Sequence, residues 1–494
     1  MYRVDRTVLG LSLAMGVGLC GATAGCDGSS SCVTDAYPPA PQSAVDLVHV
    51  SAACPASGAD GSPEHPYPSM QQAIDAASPG DAILVAPGTY PENLVIDEMI
   101  SIIGAGDDVE PADAPVVLEA PEAFAVQVVD NAPSVVLQGL AIVNAPGAGV
   151  WARNGAEVFL HGLRVEGTQP DENGDYGYGV LATDDGSIIV CKSAVTGSAL
   201  AGVLVSGAHA EIEFSEISGN HGRGGVRLQE AASEVKITGT VLDGNDEAGI
   251  GVYGSDVLVE DCTVRGTVAT GDANIGDGLV VTRLKDDGGM FFGAAKATVI
   301  GSTFADNARL GLLFSGGAEG GVASTTISAN GFGAAFGGGL WAQSGSGAAA
   351  GLSIQGCEIL ENRYLGIGLT SGAKALIQGN QAISGTVAED VFVGLDEAPI
   401  GDGIGVFSGA LATIADNQIG GNGRFGVVLD GAEGTTIEGN TVTGSADAGV
   451  LVQNQAAAPA LGSNTFSANA GGDSKVLGAA DKKALVVKDD FSSQ

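Results

Sequence analysis

At 494 residues the chain carries 20 Lys plus Arg against 58 Asp plus Glu, a formal net charge of −38, and so lacks the clustered basic surface that argues for nucleic acid as a partner. Acidic polysaccharides would be repelled as well unless Ca²⁺ bridged the two sets of charges. Glycine, at 79 residues, is about twice its average share of ~7% without a collagen period, which points to a chain that turns often and stacks closely.

Arg3 and Arg6 precede an apolar run from Val8 to Leu19, and Thr23-Ala24-Gly25-Cys26 follows it. The run is too short for a membrane span and reads as an export signal. The four residues resemble the lipobox of bacterial lipoproteins, which implies lipidation of Cys26 and a place in the bacterial cell envelope or at its surface, with plain secretion as the alternative. Residues 1–26 are then the signal, and 27–45, rich in Ser and Pro, a flexible tether. In an oxidising compartment Cys32 and Cys54, which flank the start of the ordered region, are candidates for a disulfide. The spacing of the seven cysteines carries no zinc signature.

Pro68 and Ser69 open, and Gly80 closes, a short amphipathic helix at 69–77. A buried strand follows from Asp81 and closes on the turn Pro87-Gly88-Thr89-Tyr90. From residue 134 a repeat takes over. An apolar anchor is followed at +3 by Asn, Thr, Ser or Cys, at +5 by an apolar residue and at +8 by Asn, Gly, Ser or Thr, and it can be placed on Leu137, Leu160, Val190, Ile212, Ile237, Val259, Val299, Val322, Ile354, Ile377, Ile414, Ile437 and Leu461. Anchors lie 22 to 25 residues apart wherever no insertion intervenes. Each unit reads as a strand A (Gly-Φ-x-Φ, Φ apolar), a strand B ending at the anchor and a strand C around the +5 residue. A leucine-rich repeat has a similar period, but its pattern of leucines and its helical segment are missing. At +3, Asn380, Asn417, Asn440 and Asn464 should stack as an amide ladder. At +8, Asn220, Asn245, Asn307, Asn330, Asn362 and Asn422 read as turn residues that tolerate the left-handed conformation.

The stretch SMQQAIDAASPGDAILVAPGTYPENLVI, followed by ISIIGAG, is similar to the N-terminal cap and first coil of right-handed parallel β-helix proteins, the pectin-lyase-like superfamily. The resemblance implies an all-β chain, a single-stranded right-handed parallel β-helix whose helical cap plugs the N-terminal end. The domain is expected to span 46–494, with coils at about 81–470 and a C-terminal cap at 471–494. About 14 to 16 coils at ~4.8 Å each make a rod of roughly 70 Å. The superfamily spans lyases, hydrolases, esterases, epimerases and adhesins, so it does not fix an activity.

Insertions in a solenoid fall on one face and often carry function. Here they flank strand A, whose outward positions read Trp151, Leu181, Leu204, Arg227, Gly251, Val280, Leu313, Trp341, Gly368, Gly405, Val428 and Leu451. So much apolar surface marks a binding face or coverage by the protein's own loops. The first alternative predicts a cleft over Val280, Leu313 and Trp341, with Arg283 beside it, in which Trp341 stacks on a sugar ring. Asp272, Asp277, Asp396 and Asp402, in the insertions, could hold Ca²⁺ or pair with Arg309, Arg363 and Arg424. Two functions remain. One is a monomeric, lipid-anchored surface protein that binds a glycan or a cell-envelope protein on the strand A face, without catalysis and without a cofactor. The other is a Ca²⁺-dependent polysaccharide lyase or epimerase.

Overall fold

The computed structural model describes residues 37–54, 56–106, 109–129, 134–270, 275–285, 291–293, 295–334, 336–344, 351–389, 399–478, 481 and 484. The lipobox, Cys32, Asp272 and Asp396 lie outside them. Cys54 is disulfide-bonded, while Cys191, Cys262 and Cys357 are free.

Three parallel sheets of 15 strands each, one for strand A, one for B and one for C, run the length of the chain, and each strand pairs with its counterpart one coil away. Fourteen spacings of ~4.8 Å give the expected length of roughly 70 Å. The anchor row is in register through sheet B: Leu160 faces Leu137 and Val190, and the row continues without slippage to Ile414 and Ile437. Every anchor from Leu137 to Ile437 is buried in one continuous core, each contributing about 1.5–3 kcal/mol as a fully buried aliphatic side chain. Leu461 departs from this, because sheet B ends at Thr436–Glu438 and Leu461 lies in a turn.

The N-terminal helix α1 runs from Met70 to Ala76, with Ser69 as its N-cap. Met70, Ala73 and Ile74 enter the core and close the end of the stack. The Glu92 carboxylate accepts hydrogen bonds from the Ser69 hydroxyl (2.6 Å) and from the backbone N–H groups of Met70 (2.8 Å) and Gln71 (3.0 Å). An anion therefore satisfies donors that the first turn leaves free.

Strand C is flanked by two ladders. At +3, the Asn380 amide donates to Asn417 (2.7 Å), Asn417 to Asn440 (2.9 Å) and Asn440 to Asn464 (2.9 Å). The +8 asparagines correct the turn reading. They are buried and form a second ladder, Asn307 to Asn330 and Asn330 to Asn362, each at 2.9 Å. The left-handed residue is the one before the ladder position, Asn464 excepted. It is Lys192, Phe214 or Asp416 at +2 and Asp306, Ala329 or Glu361 at +7, all with φ between 47° and 57°. A left-handed non-glycine residue costs roughly 1–2 kcal/mol, and the buried amide bonds it aims across the turn offset that cost.

Candidate functional site

The outward column of strand A is in register as the sequence implied, from Trp151 opposite Leu181 and Leu204 opposite Arg227 to Val428 opposite Leu451. What covers it divides it in two. From Val280 onward it lies under the protein's own loops. Val280, Leu313 and Trp341 are 1–2% exposed and belong to a second apolar cluster with Phe336, Ile400 and Phe425. This closes the cleft expected over them. Trp341 lies against Phe407 at 6.3 Å, with Phe336 edge-on at 6.0 Å, and its indole N–H donates to Gln343 Oε1 at 3.1 Å. Glycines make room for these rings rather than for a ligand. A Cβ at Gly368 would stand 2.2 Å from the Trp341 ring, and one at Gly405 2.1 Å from Phe407. Arg283 is turned to a loop, donating Nε–H to the Gly293 carbonyl at 2.8 Å.

Asp277 and Asp402 are also drawn inward. Arg309 holds Asp277 through Nε (2.8 Å) and through Nη2, and the Leu310 N–H adds a bond of 3.1 Å. Arg424 holds Asp402 in the same way, at 2.9 and 2.5 Å, with the Phe425 N–H at 3.2 Å. Both pairs are buried. With their oxygens directed to guanidinium forks, the two carboxylates correct the Ca²⁺ reading in favour of its ion-pair alternative. Among the described residues no group of three or more His, Cys, Asp or Glu side chains is placed to hold a metal.

In the other part of the column only the two ends, Trp151 and Arg227, are partly exposed; Leu181 and Leu204 between them are buried in a third apolar cluster with Ala148, Tyr178 and Ala201. Trp151 is half-buried, packed on Phe124 at 4.8 Å, with Tyr176, 37% exposed, at 6.3 Å. Its indole N–H donates to the Thr183 hydroxyl (3.0 Å), and the Arg153 guanidinium lies 4.6 Å from its ring centre. Three coils further on, Arg227 is half-buried over the Tyr253 ring at 4.0 Å and donates Nε–H to Gln229 Oε1 at 3.0 Å. Arg223 is exposed on the preceding turn. Arg164, Arg265, Arg309, Arg363 and Arg424 each pair with a carboxylate. Among the described residues Arg153, Arg223 and Arg227 make no such pair.

Two acids lie beside Arg223 and Arg227: Asp246, which accepts from the Gly222 N–H at 3.3 Å, and Glu247. Burial raises the pKa of Glu247, Arg227 and Arg223 pull it back down, and Asp246 adds to the rise. Burial likewise raises the phenols of Tyr178 and Tyr253, against the pull of the same arginines. Sequence reasoning reached Trp151 and Arg227 but missed Phe124, Arg153, Tyr176, Arg223 and Glu247. Arg153 was within reach, since two residues past Trp151 on a strand it shares the outward side. Tyr176 comes from the insertion after Leu160, whose path the repeat does not specify.

The chain matches the family model described as right handed beta helix region over residues 148–285 and 344–490. Among solved structures it is similar to the catalytic unit of a thermostable α-1,3-glucanase from Streptomyces thermodiastaticus, at 14% identity and a TM-score of 0.37 over 90% of this chain and 70% of that one. A periplasmic alginate epimerase is similar at 12% identity and 0.36, covering 85% and 84% of the two chains. A pectate lyase is similar at 14% and 0.30, covering 81% and 78%. No curated protein matches the chain.

Proposed function

The chain belongs to the right-handed β-helix family, and on that premise we propose that it is an exported surface protein that binds a glycan at the Trp151 end of strand A, without turning it over. The observation that carries this reading is the half-exposed Trp151 ring, set among Phe124 and Tyr176 on a face that is otherwise covered. A flat ring flanked by hydrogen-bonding groups suits one face of a sugar. Glycan binding should quench tryptophan fluorescence, and Trp151→Ala should abolish the quenching while shifting the unfolding midpoint little, because the ring is only half-buried. Quenching that survives the substitution moves the site elsewhere. The competing reading, a Ca²⁺-dependent lyase or epimerase, rests on Asp272 and Asp396 once Asp277 and Asp402 are paired with arginines. Incubation of uronate polysaccharides with and without Ca²⁺, followed by analysis for unsaturated or epimerised products, separates the two readings.

The lipobox-like Thr23-Ala24-Gly25-Cys26 supports attachment to the cell envelope through a lipid on Cys26. No helix among the described residues is long and apolar enough to cross a membrane. Cys26→Ser should move the protein from the membrane fraction to the soluble one. A wild-type protein that is already soluble overturns the anchor.

A further inference from the structure

The insertions that follow the anchors Val259 and Val322 frame an open groove on the corner between strand C and strand A. Its volume is about 520 Å³, within the ~300–1,000 Å³ of small-molecule sites. One wall is formed by residues 267–269 and the other by Phe332 and Gly333, two coils or ~10 Å further on. The coil between them lays Asp306 and Ala308 along the floor. Val268 is 46% and Phe332 49% exposed. Among the described residues of these two insertions they are the large apolar side chains left uncovered, and they face one groove from its two sides.

Both walls are braced before any ligand arrives. At the first, the Thr270 N–H donates to the Ile275 carbonyl at 2.9 Å and closes the base of the insertion. At the second, the Arg363 guanidinium donates to the carbonyls of Gly331 (3.1 Å) and Ala334 (2.7 Å) and is itself paired with Glu389. Each wall is also seated on the floor, since a Cβ at Gly276 would stand 2.7 Å, and one at Gly333 2.6 Å, from the Ala308 methyl. A groove with fixed walls spares a ligand the cost of ordering them.

Asp306 is the one ionisable side chain that lines the groove. It is exposed, and no cation among the described residues pairs with it: Arg265 is taken by Asp243, Arg309 by Asp277 and Arg363 by Glu389. An apolar slot with a lone carboxylate, on a chain of net charge −38, is complementary to a cation that carries an apolar body. We propose that the groove binds a small organic amine, with its apolar part between Val268 and Phe332 and its ammonium group at the Asp306 carboxylate. The exposed Phe332 ring can add a cation–π contact. This site lies on a different corner of the coil from Trp151 and does not depend on glycan binding there.

The experiment titrates the full chain with phenethylamine at neutral pH and physiological ionic strength, with binding followed by ligand-observed NMR. Phenethyl alcohol keeps the apolar body without the charge, and methylamine keeps the charge without the body. Each should bind about 5-fold or more weakly than phenethylamine, the factor that an exposed ion pair supplies at the top of its range. Asp306→Asn should bring phenethylamine down to the level of the alcohol. Phe332→Ala and Val268→Ser, one on each wall, should weaken both aromatic ligands, and all three variants, at exposed positions, should keep the wild-type unfolding midpoint. Equal binding of amine and alcohol, methylamine binding as tightly as phenethylamine, or phenethylamine binding that survives Asp306→Asn overturns the inference. A groove already filled by a second copy of the chain overturns it too, and would show in sedimentation as a dimer that Phe332→Ala dissociates. None of these outcomes bears on the Trp151 site.

Discussion

Trp341→Ala is expected to lower stability by about 3–5 kcal/mol, the range for truncating a buried aromatic, and to leave any glycan binding at Trp151 intact. The ring is 1% exposed and packed between Phe336 and Phe407, so its removal opens a cavity in the cluster that fastens the loops to strand A. Gly368→Ala approaches the same contact from the opposite direction. Its new Cβ would fall 2.2 Å from the indole, a ring already stacked with Phe407 at 6.3 Å. Overpacking of this kind costs roughly 1–3 kcal/mol. Chemical denaturation of both variants, with the fluorescence of Trp151 and Trp341 followed separately in single-tryptophan backgrounds, measures the effects. If Trp341→Ala unfolds at the wild-type midpoint, the loops do not cover this face in solution and the cleft reading returns.

The fold was legible because repetition multiplies a weak signal. One anchor such as Val299 says little, but twelve in register from Leu137 to Ile437 leave no other solution. The outward column was legible for the same reason, since the alternation of a strand assigns sides once the register is known. What covers the column was not. Trp341 and Trp151 occupy equivalent positions on the same sheet, yet one is buried and the other half-open, because insertions that obey no period decide the matter. Gly368 illustrates the ambiguity: a glycine beside an outward tryptophan can admit a ligand or the tryptophan's own ring, and the strand pattern is the same in both cases. The +8 asparagines misled for a different reason. Asparagine tolerates a left-handed backbone, but here its amide spans two coils and the preceding residue makes the turn.

The two Ile-Gly-Asp-Gly motifs at 275–278 and 400–403 lead to the second large effect. Asp402→Ala should cost about 3–5 kcal/mol, because it leaves the Arg424 charge buried without its partner and strips the Phe425 N–H of its acceptor. Asp402→Asn keeps the shape and one acceptor but not the charge, and should fall between the wild type and the alanine variant. Replacing both members by apolar residues of similar volume removes the charge penalty altogether and should recover most of the loss. The recovery separates an ion pair from a cation site: a carboxylate kept to bind Ca²⁺ would make the wild type, and not the double variant, respond to the ion with a higher unfolding midpoint. The same series at Asp277 and Arg309 should give the same order, since that pair has the same bidentate geometry and the same backbone N–H on the carboxylate. Each pair also ties the turn that follows it to the start of strand A one coil earlier. Loss of either should therefore loosen the loops over Trp341 before it disturbs the anchor row, and hydrogen exchange would register this as early opening at 309–314 or 424–430 while strand B stays protected.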